Sequence, residues 1–189
     1  MEEIDLTLVV PCYNEEVELE ESVKEVIGVL DGTYYRWEII FVDDFSKDNT
    51  REIIEKIIHK YPDKELRKIF HSENKGRGKS VTDGVMEAKG KIVGFIDIDL
   101  EVGAWYIPPL VRMIENGVDF SFGQRTYKFR LDVVDRYVAS RLYNLLVRKL
   151  LKLPFRDTEA GYKFFKREKI LPILEKIDDP RWFWDTEVV

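Results

Sequence analysis

Acidic residues that follow apolar runs are the first features of this sequence whose type and spacing suggest chemistry. Asp97 and Asp99 come directly after the run Ile92 to Ile96, and Glu101 stands two residues further on. Carboxylate oxygens suit Mg²⁺ or Mn²⁺ bridged to phosphate. In an extended segment, side chains two residues apart share a face, and a divalent ion would neutralise their repulsion. The pattern predicts a metal site, although spacing alone also fits a turn or a helix cap.

Two earlier apolar runs also end in residues suited to binding. Tyr13 follows the run 4–11, and Asp43 and Asp44 follow the run 37–42. Ligands of open parallel sheets bind beyond the carboxyl ends of the strands, so we expect one crevice lined by Tyr13, Asp44 and residues 97–101. A capping role for Asp43 and a packing role for Tyr13 stay open at this point.

Two common nucleotide motifs are absent from the sequence. The turn after the first run, residues 11–15, has no glycine fingerprint, which argues against a standard nicotinamide or flavin site. Gly78-Lys79-Ser80 matches the end of a phosphate-binding loop, but the first required glycine falls at Glu73. Backbone N–H groups of this glycine-bearing turn can still approach a phosphate, and an exposed loop fits equally well.

The elements that position these residues alternate between strand and helix patterns up to about Lys166. This alternation predicts an α/β fold, a mostly parallel sheet with helices on both faces, in one domain of 189 residues. We expect strands at 4–11, 37–42, 66–70, 92–96 and 118–122. We expect helices at 15–30 with Asn14 as its cap, 50–59, 78–88, 108–116, 134–151 and 168–176.

The charge of the chain is unevenly distributed. The formal net charge is −6, yet residues 125–156 carry nine Lys or Arg against two Asp. This segment is a candidate surface for phosphates, nucleic acid or anionic lipid, and an ordinary solvated helix face fits as well. In the helix predicted at 134–151, Arg141, Arg148 and Lys152 lie beside an apolar face, which suits contact with an anionic membrane or packing within the domain.

The remaining single residues suggest structure rather than chemistry. Cys12 has no partner for a disulfide and we expect it to pack in the core. We expect His59 and His71 at the surface or in loops, and Trp105, Trp182 and Trp184 in packing or interface roles. The sequence has no signal peptide and no run of 18 apolar residues, so we expect a soluble, unexported chain. Its last residues are still apolar, which suggests that the natural chain continues.

Taken together and in this order, three motifs resemble glycosyltransferase family 2. They are Val9-Val10-Pro11-Cys12-Tyr13-Asn14-Glu15, Val42-Asp43-Asp44-Phe45-Ser46-Lys47-Asp48-Asn49-Thr50 and Asp97-Ile98-Asp99. Four more motifs resemble the subgroup that glycosylates polyprenyl phosphates, especially dolichyl-phosphate glucose synthases. They are Asn74-Lys75-Gly76-Arg77-Gly78, Gly123-Gln124-Arg125, Asp157-Thr158-Glu159-Ala160-Gly161-Tyr162-Lys163 and Arg181-Trp182-Phe183-Trp184-Asp185-Thr186-Glu187.

The resemblance implies a GT-A-type fold with a Rossmann-like sheet and a role for each matching residue. Residues 1–189 form one catalytic domain, with a nucleotide-sugar-binding half at 1–101 and an acceptor-side half at 102–189. The donor base and ribose are expected to contact Pro11, Tyr13, Glu15, Val42, Asp44, Asp97 and Ile98. The metal ligands are expected to be Asp97, Asp99 and Glu101, and the residues facing phosphates Arg125 and Arg136. Two positions depart from the family: Phe45 replaces a usual glycine, and Glu159-Ala160 replaces the usual pair before Gly161.

The implied reaction is the inverting, Mg²⁺- or Mn²⁺-dependent transfer of glucose or mannose from a UDP- or GDP-linked donor to a polyprenyl or dolichyl phosphate. In this reaction Asp99 is expected to be a catalytic metal ligand. A sugar hydroxyl acceptor would in addition need a general base, for which Asp157 is the candidate. We expect the protein to act at the cytoplasmic face of a membrane, to make peripheral contact with anionic lipid, and to bind no nucleic acid. The alternatives are a family 2 enzyme with a hydroxyl acceptor, a haloacid-dehalogenase-like phosphatase, and an inactive nucleotide-sugar-binding module.

Overall fold

A six-stranded sheet forms the centre of the protein. The computed structural model describes residues 3–123, 161–181 and 183–188. The strands lie in the order β3-β2-β1-β4-β6-β5. Their bounds are β1 Leu6–Cys12, β2 Trp37–Asp43, β3 Glu65–Phe70, β4 Ile92–Ile96, β5 Phe120–Phe122 and β6 Tyr162–Lys166.

Four strands form the parallel part of the sheet, as the sequence predicts. β1 lies between β2 and β4, and β3 pairs with β2, all in parallel. β1, β2 and β4 are buried almost throughout, which explains why their sequences are continuous apolar runs rather than alternating ones. Because the three strands run in the same direction, the residues that follow Cys12, Asp43 and Ile96 meet at one edge of the sheet.

The other side of the sheet is antiparallel, which the sequence patterns do not predict. β6 inserts between β4 and β5 and runs antiparallel to both. Gly94 of β4 lies opposite Phe164 of β6, where a Cβ atom would come within 2.2 Å of the phenyl ring. A glycine inside this buried strand therefore leaves room for the aromatic side chain of its neighbour.

Helices cover both faces of the sheet, which confirms the predicted architecture. One core lies between the sheet and α1, α2 and α4, and the other between the sheet and α3, α5 and α6. The helix bounds are α1 Leu19–Asp31, α2 Thr50–Lys60, α3 Arg77–Met86, α4 Ile107–Glu115, α5 Arg167–Leu174 and α6 Trp184–Glu187. The helix predicted at 134–151 lies outside the described residues. Among the described helices, none has the length and apolarity to cross a bilayer.

The predicted start of the first helix is wrong. We expect a helix from Glu15 capped by Asn14, whereas α1 begins at Leu19 and its N-terminus has no side-chain cap. Asn14 has a left-handed backbone, with φ of 59°. Its side-chain Oδ1 accepts a hydrogen bond from the Lys47 N–H at 2.8 Å, and its own N–H donates to Ser46 Oγ at 3.0 Å. Asn14 therefore joins two loops instead of capping a helix.

Cys12 is buried in the core that contains α1, which confirms its expected packing role. Burial raises the pKa of its thiol well above the ordinary value, and the nearby carboxylates of Glu15 and Asp43 raise it further. The thiol is therefore protonated at neutral pH and a poor nucleophile.

Candidate functional site

The loops that follow β1 and β2 are locked together at the carboxyl edge of the sheet. The Asp44 N–H donates to the Cys12 carbonyl at 2.9 Å. One loop further out, the Glu15 N–H donates to Thr50 Oγ1 at 2.8 Å and the Glu16 N–H to Asp48 Oδ2 at 3.1 Å. These bonds hold the loop after β1, with Glu15 in it, against the loop after β2.

The residues predicted to contact the donor differ in exposure. Tyr13 is 47% exposed, so its ring is accessible to a ligand. The side chains of Val42 and Ile98 are buried in the two cores, which leaves only their backbone for contact with a ligand. Pro11 pairs with Val42 in the sheet and is half-buried.

Asp44 is the centre of a hydrogen-bond cluster that organises the loop between β3 and α3. Its Oδ1 accepts from the Lys75 N–H at 2.8 Å, and its Oδ2 accepts from the Gly76 N–H at 2.8 Å. His71 Nδ1 lies 2.8 Å from Asp44 Oδ1, and His71 Nε2 lies 3.2 Å from Asp83 Oδ2. The carboxylate thus positions this loop, while contact of Asp44 with a ribose or base stays a prediction.

The same cluster argues against the loop as a phosphate-binding site, because the groups that could bind a phosphate already have partners within the protein. The N–H groups of Lys75 and Gly76 are taken by Asp44, and Lys79 pairs with Asp83 at 2.6 Å. His71 lies in the loop after β3, one of the two positions expected for it, but it is buried, with 4% exposure. Its two ring nitrogens contact the carboxylates of Asp44 and of Asp83 on α3.

Asp43 shapes the loop after β2. Its Oδ2 accepts from the N–H groups of Phe45 and Ser46 at 3.1 and 3.2 Å and from Arg51 Nε at 2.5 Å. Phe45 has φ of 65°, the left-handed conformation that glycine adopts without strain. The Lys47 ammonium lies 3.2 Å from the centre of the Phe45 ring. The backbone of the loop therefore keeps the left-handed conformation that glycine favours, although residue 45 is a phenylalanine.

The residues after β4 form a turn, so the expectation of an extended segment with Asp97 and Asp99 on one face is wrong. The Leu100 N–H bonds to the Asp97 carbonyl at 3.3 Å, and Leu100 has φ of 49°. The Glu101 N–H donates to Asp99 Oδ1 at 3.1 Å, which closes a second small turn. Asp97 is half-buried against α3, whereas Asp99 and Glu101 are exposed.

Three carboxylates nevertheless influence one another at this edge. The pKa of Glu15 is raised to about 7, first by burial and then by Glu18, Asp99 and Asp97. The pKa of Asp97 is also raised, chiefly by burial; Arg77 opposes this rise, and Asp185 and Asp99 add to it. The loop after β1 and the turn after β4 therefore meet in a region with excess negative charge.

This region fits a divalent cation that is shared with a ligand. Among the described residues, no three His, Cys, Asp or Glu side chains form a metal cage. Mg²⁺ typically binds one or two carboxylates and completes its shell with water and substrate phosphates. Asp97 and Asp99 supply such a partial set, and the mutual repulsion with Glu15 favours a cation there.

The sequence patterns give no role to Arg77, although it contacts Asp97 directly. Its Nε and Nη2 donate to Asp97 Oδ1 at 2.9 and 2.5 Å, and its Nη1 donates to Asp185 Oδ2 at 2.6 Å. Lys163 completes the group by pairing with Asp185. A signal for these residues is present in the sequence: Lys163 stands within the apolar run Tyr162 to Phe165, and a charge within a buried strand needs a partner.

Three predicted site residues lie outside the described residues: Arg125, Arg136 and Asp157. Trp184 is buried and packs edge-on against Phe95 with ring centres 5.4 Å apart, which confirms its packing role. Trp105 is 61% exposed.

Comparison with known structures identifies the fold as GT-A. A mannosyltransferase from Pyrobaculum calidifontis, solved with GDP-Man and Mn²⁺, superposes with a TM-score of 0.63 at 22% identity, covering 93% of this chain and 47% of that one. Glucosyl-3-phosphoglycerate synthase from Mycobacterium tuberculosis with UDP gives a TM-score of 0.63 at 24% identity, covering 88% and 58%.

Sequence comparison extends along almost the whole chain. Glycosyltransferase AglD of Haloferax volcanii is 30% identical over 98% of this chain and 30% of its own length. A dolichyl-phosphate beta-glucosyltransferase of Saccharomyces cerevisiae is 30% identical over 100% of this chain and 62% of its own length. The chain thus spans less than two thirds of either relative. Since residues 7–173 also match the model of glycosyl transferase family 2, the chain belongs to that family.

Proposed function

We propose that this chain is the catalytic part of an inverting, metal-dependent glycosyltransferase. It moves glucose or mannose from a nucleoside-diphosphate sugar to a polyprenyl or dolichyl phosphate. The observation that carries this proposal is the cluster of three carboxylates, Glu15, Asp97 and Asp99, at the carboxyl edge of the sheet. Their mutual repulsion would be relieved by a cation, and a donor diphosphate bound at this edge could share that cation.

The reaction is an in-line displacement at the anomeric carbon of the sugar. An oxygen of the acceptor bonds to this carbon while the bond to the diphosphate oxygen breaks, and its electron pair leaves with the nucleoside diphosphate. Asp97 and Asp99, with Glu101 as a further candidate ligand, would hold a Mg²⁺ or Mn²⁺ ion, and this ion would supply positive charge to the departing diphosphate. The side chains themselves orient the donor: Tyr13 offers a ring for stacking, and Arg77 keeps Asp97 in place.

The acceptor is assigned from relatives and from elementary acid–base chemistry. Proteins similar to this chain are named as dolichyl-phosphate beta-glucosyltransferases in Dictyostelium discoideum, human and yeast. A lipid phosphate is already anionic at neutral pH, so attack by its oxygen needs little help from a base. A hydroxyl acceptor, the alternative within the family, would need a base such as Asp157. Membership in family 2 removes the phosphatase alternative.

The experiment supplies UDP-glucose or GDP-mannose, with MgCl₂ or MnCl₂, and a short polyprenyl phosphate in detergent. Release of nucleoside diphosphate and formation of a glycolipid are measured together, the latter by mass spectrometry. We expect a product with at least one donor and its loss in EDTA. Release of nucleoside diphosphate only with a sugar hydroxyl acceptor would favour the alternative. Donor binding without turnover on any acceptor would favour an inactive binding module.

The Asp99→Asn variant tests the metal assignment, with Asp63→Asn as its matched control. Both aspartates are exposed, but Asp63 lies in the loop before β3, away from the carboxyl edge. We expect Asp99→Asn to lower kcat/KM by about 10²-fold or more, since it removes charge stabilisation at the leaving group, while Asp63→Asn keeps full activity. Equal activity of the two variants would refute the role of Asp99.

A further inference from the structure

Four charged side chains that are far apart in the sequence form a continuous chain that ends at Asp97, a candidate metal ligand. Lys163 of β6 pairs with Asp185 Oδ1, and Asp185 Oδ2 accepts from Arg77 Nη1 at 2.6 Å. Arg77, the first residue of α3, donates on its other side to Asp97 at the end of β4. The order of charges is plus, minus, plus, minus, and their sum is zero.

Burial makes this arrangement costly to hold unless every member is paired. The side chains of Lys163 and Asp185 are 0% and 3% exposed, and that of Arg77 is 18% exposed. Desolvation offsets much of the Coulomb attraction of buried ion pairs, and apolar residues often replace such pairs without loss of stability. Stability is therefore a weak explanation for this group, and its position at Asp97 suggests a role in orientation.

The contacts of Arg77 leave one oxygen of Asp97 outside the ion pair. Both hydrogen bonds from Arg77 go to Oδ1. Oδ2 packs against Gly161, where a Cβ atom would lie only 1.7 Å from it, so the carboxylate can take this orientation only because residue 161 has no side chain. Arg77, held on its other side by Asp185, and Gly161 thus together set the rotation of the Asp97 carboxylate.

The segment that carries Asp185 is docked firmly on α3. The Lys79 N–H donates to the Pro180 carbonyl at 2.9 Å, and Trp184 Nε1 donates to Thr82 Oγ1 at 2.9 Å. The Trp184 side chain lies against Gly78, where a Cβ atom would come within 2.5 Å of it. The position of Asp185 is therefore defined by packing that is independent of Arg77.

We infer that Arg77 is a positioning residue for Asp97 and that Asp185, backed by Lys163, holds Arg77 in the required orientation. This inference rests on the proposed function and names the residues that prepare its metal site. Through Arg77, residues 180–181 and 183–188 would thus influence the binding of metal and nucleotide. Partners behind metal ligands typically contribute 10–100-fold to metal affinity or activity.

The test compares Arg77→Lys with Arg67→Lys. Arg67 also bridges two carboxylates, those of Glu38 and Glu87, but it lies on β3, remote from Asp97. Lysine keeps the charge and cannot bridge with the planar fork of arginine. Calorimetry measures binding of UDP and of GDP to each variant with Mn²⁺ and with EDTA, and urea unfolding measures stability.

We expect Arg77→Lys to weaken Mn²⁺-dependent nucleotide binding by about 10–100-fold and to leave binding in EDTA unchanged. Arg67→Lys keeps the affinity of the parent in both conditions. The double variant Lys163→Met with Asp185→Leu removes a buried pair without leaving a lone charge, so it stays testable if Arg77→Lys unfolds. It is expected to fold and to lose the same metal-dependent affinity.

The outcomes separate the two claims. If the parent binds nucleotide with Mn²⁺ and the folded variants at Arg77 or at the Lys163–Asp185 pair bind it equally well, the positioning role is overturned while the proposed function stands. If the parent binds neither UDP nor GDP with Mn²⁺, the proposed function fails and the inference falls with it.

Discussion

Two glycine-to-alanine substitutions, both within helices, are expected to change stability in opposite directions. Gly28 lies in α1 and a Cβ atom there would meet nothing within 4 Å. Gly78 lies in the first turn of α3, where a Cβ atom would come within 2.5 Å of Trp184 Cβ and 2.8 Å of the Arg181 carbonyl oxygen. These contacts involve backbone and a Cβ atom, which cannot rotate away.

The expected magnitudes follow from helix propensity and overpacking. Alanine in place of a helical glycine gains about 0.5–1 kcal/mol, so Gly28→Ala should stabilise the protein by this amount. At Gly78 the gain is smaller because the residue is near the helix end, and overpacking costs about 1–3 kcal/mol. The net effect is a loss of about 1–2 kcal/mol. For a chain of this size 1 kcal/mol shifts Tm by roughly 2–4 °C.

Thermal and urea unfolding followed by circular dichroism at 222 nm measure both variants against the parent. Gly28→Ala serves as the control that the helix term has its usual size in this protein. If Gly78→Ala is as stable as Gly28→Ala, the docking of Trp184 against α3 is refuted. A displaced Trp184 also moves Asp185, so Gly78→Ala should weaken Mn²⁺-dependent nucleotide binding, whereas Gly28→Ala should not.

Two further substitutions test buried polar groups near the site. The Tyr162 hydroxyl is buried without a hydrogen-bond partner among the described residues, so Tyr162→Phe should raise the free energy of unfolding by about 1 kcal/mol; a loss of stability in urea would contradict this. Burial and the neighbouring carboxylates raise the pKa of Glu15 to about 7 in the folded protein, from an ordinary value of 4.5, so the native state binds more protons between these values and stability falls as pH rises through them. Glu15→Gln should therefore be more stable than the parent at pH 8 and equal to it at pH 4, and parallel pH profiles of Tm would contradict the raised pKa.

The parallel half of the fold is predictable because local patterns determine it. The runs that become β1, β2 and β4 are apolar without alternation, as expected for strands covered on both faces. Pro108 and Pro109 lie in the first turn of α4, and Gly117, with φ of 111°, follows its end. These residue types constrain the backbone at their own positions, so one sequence is enough to locate the helix.

The start of α1 and the turn after β4 were not predictable in the same way. Asn14 and Asp99 are residue types that cap helices and close turns equally well, and their partners decide which role they take. Asn14 bonds to Ser46 and Lys47, more than 30 residues away in the chain. Asp99 instead closes a turn with the Glu101 N–H. For Asn14 the choice depends on long-range packing, which residue spacing does not contain.

The buried charges at the site are predictable from the sequence in one respect and not in another. A lysine in the run Tyr162 to Phe165 indicates from sequence alone that a counter-charge must lie nearby, because an unpaired buried ammonium is too costly. The identity of this partner depends on β6 lying antiparallel beside β4 and on residues 180–181 and 183–188 packing on α3. Arg77 and Asp185 are 108 residues apart, yet they form one link of the group. The need for a partner is thus a local property of the sequence, whereas the partner, and through it the orientation of Asp97, is determined only by the assembled fold.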